Sequence, residues 1–136
     1  MEYVLASSSP RRRELMELIT NNFQCVSPEV DESVPVNFKP FTIPCYLAEK
    51  KARKVAVAFP DACVIGCDTA VILEGRIFGK PTDEKQAKEI LKLLSGKTHT
   101  VVTGCCLVAH GRCKIFSAAT QVEFFPLSDK DICEYI

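Results

Sequence analysis

Apolar and polar positions alternate along the start of the chain in blocks that predict a strand followed by a helix. A short apolar run at residues 2–6 predicts a strand, and a serine-rich turn leads from it to Pro10. Proline favours the first turn of a helix because its missing N–H has no partner there in any case. Beyond it, apolar residues recur at helical spacing, at Leu15, Leu18 and Ile19.

The rest of the pattern continues the alternation of strands and helices. It predicts a strand near Phe23–Val26 and a helix from Thr42 or Pro44 to before Pro60. A strand over Ala62–Leu73 then turns at Glu74-Gly75 onto Arg76–Phe78, and a helix capped by Asp83 and Gln86 stops at Gly96. Strands near 98–109 and 113–125 follow, and Ser128 and Asp131 open a last helix. Strands that alternate with helices and then form hairpins indicate an α/β domain, with a mixed, elongated sheet flanked by helices. Residues 28–44 form a long Pro-containing loop without periodicity, and such loops are often functional.

Length and composition are those of an ordinary globular protein. The chain has 136 residues, 47% of them hydrophobic and 25% charged, which is typical of one domain spanning residues 1–136. No apolar run reaches the roughly 18 residues needed to span a bilayer. The N-terminus lacks the basic and apolar regions of a signal peptide. We therefore expect a cytoplasmic protein without a membrane partner.

Eight cysteines suggest at first a disulfide framework or a zinc site. Their spacing argues against both, because no C-x-x-C occurs and only two histidines are present. The pattern favours reduced thiols that are buried as small hydrophobic side chains.

The distribution of charge favours a small anionic ligand. Basic and acidic residues both number 17, so the formal net charge is zero, whereas nucleic-acid-binding domains usually carry a basic excess. Positive charge is concentrated in two clusters, at residues 11–13 and 50–54. A nucleic acid polymer is therefore not expected as a partner.

Arg11 and Arg12 lie in the predicted first turn of a helix, where the helix dipole disfavours cations. They could form a solvated basic turn. Alternatively, the three preceding serines and the free backbone N–H groups could bind a phosphate that the arginines then neutralise.

Lys51 falls within the apolar stripe of the second predicted helix, whereas Lys50 and Lys54 project from another side. Lysines are almost never fully buried without a partner. Either the side chain extends along the helix to the surface, or its charge points into a ligand cleft, which is the interpretation we favour.

Asp68 interrupts an apolar strand, and a buried carboxylate needs a cation, a metal or a raised pKa. A structural pairing with a lysine, a magnesium ligand and a general base are all consistent with it. Taken alone, Glu32 in its acidic loop and Lys80 in a Gly/Pro-rich turn would be ordinary surface residues. Neither the P-loop motif nor the Gly-rich dinucleotide motif occurs.

Motifs throughout the chain, taken in order, resemble those of the Maf-like nucleotide pyrophosphatases. They are Leu5–Arg12 (LASSSPRR), Asp31-Glu32, Leu47–Ala52 (LAEKKA), Gly66–Thr69 (GCDT), Gly79-Lys80-Pro81, Leu94–His99 (LSGKTH), Val102-Thr103-Gly104 and Leu127-Ser128-Asp129.

The resemblance implies a cytoplasmic, often dimeric hydrolase with two lobes around a nucleotide cleft. It would convert nucleoside triphosphates, either modified or pyrimidine, to the monophosphate and pyrophosphate with a divalent metal, Mg²⁺ or Mn²⁺. Asp68 would activate water and share the metal with Glu32. Phosphates would be held by five residues, Ser7, Arg11, Arg12, Lys51 and Lys80. Thr69 and Arg11 match positions tied to base selection, and the Asp68-Thr69 pair resembles the dTTP/UTP branch.

The chain departs from the family pattern at two places. Cys67 stands where the family usually has a smaller residue such as alanine. The family also continues beyond Ile136 with a segment that this sequence lacks, so we expect the domain to be missing its C-terminal part. The alternative function is a non-catalytic nucleotide- or phosphate-binding protein, and a nucleic-acid-binding module is a weaker third possibility.

Overall fold

A computed structural model describes residues 1–136 and contains every predicted helix and strand. The elements, in chain order, are β1 Tyr3–Ala6, α1 Pro10–Glu17, β2 Phe23–Cys25, a short 3-10 turn Pro40–Thr42, α2 Ile43–Ala56, β3 Cys63–Leu73, β4 Arg76–Phe78, α3 Glu84–Leu94, β5 Thr98–Ala109, β6 Arg112–Glu123 and α4 Asp129–Tyr135. The predicted boundaries agree with these to within a few residues.

The strands form one mixed sheet flanked by helices, so the predicted fold class is confirmed. The strand order is β2-β1-β3-β5-β6, and β4 pairs with β3. β1 lies between β2 and β3 and is parallel to both, whereas β3 and β4 are antiparallel. The chain therefore runs from β1 through α1 to β2, which lies on one side of β1. It then runs through α2 to β3, which lies on the other side of β1.

The chain divides into two compact units. The first contains residues 1–68 and 103–118, and the second contains residues 69–102 and 119–136. The core of the first unit joins apolar residues of β1, α2, β3 and β5, among them Val4, Ala48, Val64 and Cys106, all fully buried. The second unit has a smaller core of Leu73, Phe78 and Leu94.

Side-chain caps fix the starts of three helices. Ser9 accepts a hydrogen bond from the backbone N–H of Arg12 at the start of α1, and Asp83 accepts one from Gln86 at the start of α3. A reciprocal capping box of Ser128 and Asp131 opens α4, as predicted. Ile132 of α4 is buried in the second unit.

None of the helices combines the length with the apolar character that crossing a membrane requires.

The helix predicted after Pro10 ends earlier than the helical spacing of its apolar residues indicated. The helix ends at Glu17, and Leu15, Leu18 and Ile19 are 53%, 82% and 79% exposed. Met16 is the buried residue of this helix instead. Leu18 and Ile19 lie beyond a helix of only eight residues, so the helical spacing that suggested a common face does not apply to them.

Two glycines let α2 approach the sheet closely. A Cβ atom on Gly66 of β3 would collide with the carbonyl oxygen of Ala48 and lie 2.9 Å from Cβ of Ala52. A Cβ atom on Gly104 of β5 would lie 2.5 Å from backbone atoms of Pro44 and Cys45. Close packing at Gly66 is therefore what holds the middle of α2 against β3.

We expect Gly66→Ala to lower the free energy of unfolding by about 1–3 kcal/mol, because the added methyl group forces α2 away from β3. Chemical denaturation would measure the change. Gly79→Ala is the matched control, since a Cβ there meets nothing within 4 Å and the residue has no positive φ. Equal stability of the two variants would contradict the close approach.

Candidate active site

The candidate site lies beyond the carboxyl end of β1 and beside the middle of β3, where the chain crosses from one side of β1 to the other. Ala6 at the end of β1 is in register with Gly66 of β3, and β3 continues directly into Cys67 and Asp68. In open α/β sheets ligands bind at such a switch point, outside the carboxyl ends of parallel strands.

The serine turn after β1 supplies ordered polar groups at this edge. Ser7 is 5% exposed, and its Oγ accepts a hydrogen bond of 3.1 Å from the backbone N–H of Ser9. Oγ of Ser9 in turn caps α1 by accepting from the N–H of Arg12 at 3.4 Å. The first turn of α1 contains no acidic residue. The Ser7 hydroxyl keeps its own proton to donate, so the turn can bind an anion.

Lys51 lies where three oxygen atoms converge. Its Nζ is 2.9 Å from Oδ1 of Asp68, 3.2 Å from Oε1 of Glu32 and 3.4 Å from the carbonyl oxygen of Cys67. An ammonium group has three N–H donors, so these oxygens can satisfy all of them. The Lys51 side chain is 11% exposed, which confirms that it belongs to the buried side of α2 and does not extend to the surface.

Asp68 owes its electrostatic state to burial and to Lys51. Its side chain is 13% exposed, and this burial raises the pKa of the carboxyl group. The hydrogen bond and charge of Lys51 lower the pKa, Glu32 raises it, and Arg12 lowers it further. Of the alternatives open from the sequence, pairing with a lysine is the one observed, and it leaves Oδ2 of Asp68 outside that contact.

The two arginines at the start of α1 occupy different environments. Arg12 is partly buried, and its Nη1 donates a hydrogen bond of 3.2 Å to the carbonyl oxygen of Cys67. Because Lys51 contacts the same oxygen, Arg12, Lys51 and Asp68 belong to one cluster. Arg11 is exposed and extends from the same turn. Arg13 pairs weakly with Glu17 at the surface, 3.8 Å away.

The two remaining predicted residues belong to the second unit. Thr69 follows Asp68 on β3 and is exposed. Lys80 is exposed in the turn after β4, beside a surface depression of about 250 Å³ that is lined by residues of β4 and α3. The structure thus brings Arg12, Glu32, Lys51 and Asp68 into contact within the first unit.

The carboxylates fit a divalent metal that is shared with a substrate. Glu32 and Asp68 both reach the same ammonium nitrogen, so their oxygens already converge on one cation. No group of three or more His, Cys, Asp or Glu side chains could hold a metal by itself. Mg²⁺ is usually bound by one or two carboxylates together with water and substrate phosphates, and two acidic oxygens suit that arrangement.

The cysteines are mostly not the buried residues that the sequence suggested. All eight are free thiols, but only Cys106 is buried: Cys133 is exposed and the other six are partly exposed. Sequence reasoning also missed Cys105, whose Sγ is 3.3 Å from Sγ of Cys67 beside the site. These residues are 38 positions apart and meet only because β3 and β5 are neighbours, so no local spacing could indicate the contact.

Nearly the whole chain matches one protein family. The family described as "Maf-like protein" matches residues 2–136, and the chain belongs to it. A dTTP/UTP pyrophosphatase of Bacillus cereus is 44% identical over 98% of this chain and 70% of its own length. A dTTP/UTP pyrophosphatase of Bacillus cytotoxicus is 43% identical over 99% of this chain and 71% of its own. The predicted activity class, a nucleoside triphosphate pyrophosphatase, is confirmed by this membership.

Solved structures of low sequence identity share the fold. A Ham1 protein of Staphylococcus aureus superposes with a TM-score of 0.62 at 17% identity, covering 90% of this chain and 71% of that one. A Ham1 protein of Coxiella burnetii gives 0.57 at 14% identity, covering 90% and 72%. At these identities the likeness concerns the fold alone.

Proposed function

We propose that this chain hydrolyses dTTP and UTP, or closely related modified nucleotides, to the monophosphate and pyrophosphate in a reaction that depends on a divalent metal. Water attacks the α-phosphorus, and the bond to the oxygen that bridges the α- and β-phosphates breaks. Pyrophosphate leaves with that oxygen, and the proton of the water passes to a carboxylate.

One observation carries the proposal: a largely buried lysine, two carboxylates and an arginine meet beyond the carboxyl end of β1, beside the middle of β3. Lys51 contacts Asp68 and Glu32, and both Lys51 and Arg12 contact the carbonyl oxygen of Cys67. Such a cluster supplies a proton acceptor, metal ligands and phosphate-binding cations in one place.

Each residue has a proposed role that follows from its position. Asp68 accepts the proton of the attacking water, because its Oδ2 lies outside the contact with Lys51 and burial raises the pKa of its carboxyl group. Glu32 is 60% exposed and can exchange Lys51 for another cation at little cost. That exchange frees one N–H of Lys51 for a phosphate oxygen.

The negative charge of the triphosphate would be neutralised by phosphate-binding residues and by a metal. Ser7, Arg11 and Arg12 would bind phosphates at the first turn of α1, and Lys80 is proposed as a further phosphate-binding residue. A bound metal would neutralise phosphate charge and hold the triphosphate in one orientation. Asp68 and Glu32 would be its protein ligands.

Base preference is proposed from Thr69 and Arg11 together with the names of the relatives. Both side chains are exposed, so a base could reach them. The two Bacillus relatives are named for dTTP and UTP and share 44% and 43% of the aligned residues with this chain.

The test is a panel of ribo- and deoxyribonucleoside triphosphates with Mg²⁺, assayed for pyrophosphate and monophosphate. We expect dTTP and UTP to be hydrolysed with the highest kcat/KM. Binding of triphosphates without release of pyrophosphate would support the second candidate, a non-catalytic nucleotide-binding protein. Release of inorganic phosphate alone would contradict attack at the α-phosphorus.

Metal dependence gives a separate prediction. We expect chelation to abolish turnover and Mg²⁺ or Mn²⁺ to restore it, with metal binding far tighter when a triphosphate is present, because the chain offers only two carboxylates. Glu32→Gln should raise the Mg²⁺ concentration for half-maximal activity by about 10-fold or more. Glu29→Gln, an exposed glutamate of the same loop, is the control. The same Mg²⁺ requirement in both variants would remove Glu32 from the metal site.

We also propose that the protein acts in the cytoplasm as a homodimer. Leu15, Leu18 and Ile19 are apolar and more than half exposed, and a second copy of the chain could cover them. Light scattering on the purified chain and on Leu18→Lys would test this, with a monomeric native chain as the contrary result.

A further inference from the structure

Two pairs of thiols are in contact in the first unit. Sγ of Cys67 lies 3.3 Å from Sγ of Cys105, across the neighbouring strands β3 and β5. Sγ of Cys106 lies 3.0 Å from Sγ of Cys113, across β5 and β6. Both distances exceed the disulfide bond length of about 2.05 Å, and all eight cysteines are free.

The first pair differs from the second in its position. Cys67 immediately precedes Asp68, and its carbonyl oxygen accepts hydrogen bonds from Arg12 and Lys51. Both members of this pair are partly exposed, whereas Cys106 of the second pair is completely buried. A small oxidant can therefore reach the pair that adjoins the candidate site.

We propose that Cys67 and Cys105 form a reversible disulfide when a hydroperoxide is present, and that this disulfide lowers the activity of the adjacent site. The effect on activity rests on the proposed function, whereas the disulfide chemistry does not. Cys67 and Cys105 are thus a site of oxidative modification.

The chemistry balances with one equivalent of hydroperoxide. The sulfur of Cys105 attacks the peroxide oxygen, the O–O bond breaks, and Cys105 becomes a sulfenic acid while water or an alcohol leaves. The sulfur of Cys67 then attacks the sulfur of Cys105, the S–O bond breaks, and hydroxide leaves with the proton of Cys67 as water. The two thiols lose two electrons, which the peroxide gains, and a dithiol reductant reverses the change.

The order of these steps follows from the surroundings of the two thiols. The contact with the sulfur of Cys67 lowers the pKa of Cys105 to about 7, burial raises it, and the charge of Arg12 lowers it further. In the second pair, burial raises the pKa of Cys106 to about 12. The nucleophile is the thiolate, so Cys105 reacts first.

The disulfide would disturb the site through the backbone of β3. Bond formation closes the distance between the two sulfurs from 3.3 Å to about 2.05 Å, so Cys67 and Cys105 together move by about 1.25 Å, and Cys67 is the residue beside Asp68. A misplacement of that size can lower the rate of an enzyme by about 10²-fold. The carbonyl oxygen that Arg12 and Lys51 share belongs to the same residue, so their positions change with it.

The experiment treats the reduced, desalted chain with hydrogen peroxide and then with dithiothreitol. We expect a proteolytic peptide that links Cys67 to Cys105, a fall in kcat of about 10-fold or more on oxidation, and recovery on reduction. Cys105→Ala should keep the activity of the native chain and lose the sensitivity to peroxide. Cys113→Ala, which removes the second pair, should remain sensitive.

Three results would overturn the proposal: absence of the linked peptide, the same peroxide sensitivity in Cys105→Ala, or protection by Cys113→Ala. Calorimetry with a non-hydrolysable pyrimidine triphosphate separates this proposal from the proposed function. If the reduced chain hydrolyses no triphosphate, the proposed function fails. In that case, weaker binding of the triphosphate after oxidation would still support an inhibitory Cys67–Cys105 disulfide, and unchanged binding would refute it.

Discussion

Replacing Asp68 with asparagine is expected to lower kcat by about 10²-fold or more while the chain remains folded. The substitution keeps the shape of the side chain and an oxygen that can accept the hydrogen bond from Lys51 at the same place. It removes the negative charge and the proton-accepting oxygen. Turnover should therefore fall without a comparable loss of stability.

Steady-state kinetics and thermal unfolding of the same preparations would check this result. Asp61→Asn is the matched control, because Asp61 is exposed in the turn just before β3. It should leave both kcat and Tm unchanged. Near-normal turnover in Asp68→Asn would exclude Asp68 as the proton acceptor, and a large fall in Tm would show that unfolding causes the loss.

The sequence predicted most of the helices and strands from the spacing of apolar residues. It also predicted two residues of the site, because each of them conflicts with the apolar pattern around it. Lys51 interrupts an apolar helix stripe, and Asp68 interrupts an apolar strand. A charge in such a position needs a compensating partner, so the conflict itself indicates a site. The structure shows that these two residues compensate each other.

Partners that are distant in the sequence could not be predicted in the same way. The contact of Lys51 with Glu32 and Asp68 depends on how closely α2 approaches β3, which Gly66 sets. Gly66 and Gly104 inside apolar strands were the available signal, since glycine in a strand often marks a close backbone approach. The contact of Cys67 with Cys105 depends on strand order, for which no such signal existed.

The exposed residues after Pro10 show a case in which a local pattern suggested more than the structure contains. Leu15, Leu18 and Ile19 have helical spacing, but spacing predicts a buried face only where the helix continues through all of them. Here α1 ends at Glu17. Local periodicity therefore predicted the helix without predicting which of its residues are buried.

The second large effect is expected from Lys51→Ala, which removes the ammonium group that contacts Glu32, Asp68 and the carbonyl oxygen of Cys67. Loss of a charged hydrogen bond to a phosphate, worth about 1.5–3 kcal/mol, corresponds to roughly a 10- to 150-fold lower kcat/KM. The variant should also be less stable, by about 3 kcal/mol, because Asp68 is left largely buried without its cation.

Stability and substrate binding can be separated with a second variant. Lys51→Arg keeps a cation near Asp68 but replaces the compact ammonium with a planar guanidinium group. We expect it to recover most of the lost stability and only part of the lost kcat/KM. Lys54→Ala removes an exposed lysine one turn along α2, and Lys50→Ala removes one that lies 6.0 Å from the centre of the Tyr46 ring. Both should alter kcat/KM far less than Lys51→Ala does. Equal losses in the three alanine variants would mean that the substrate meets the general positive charge of α2 and not the buried ammonium at its centre.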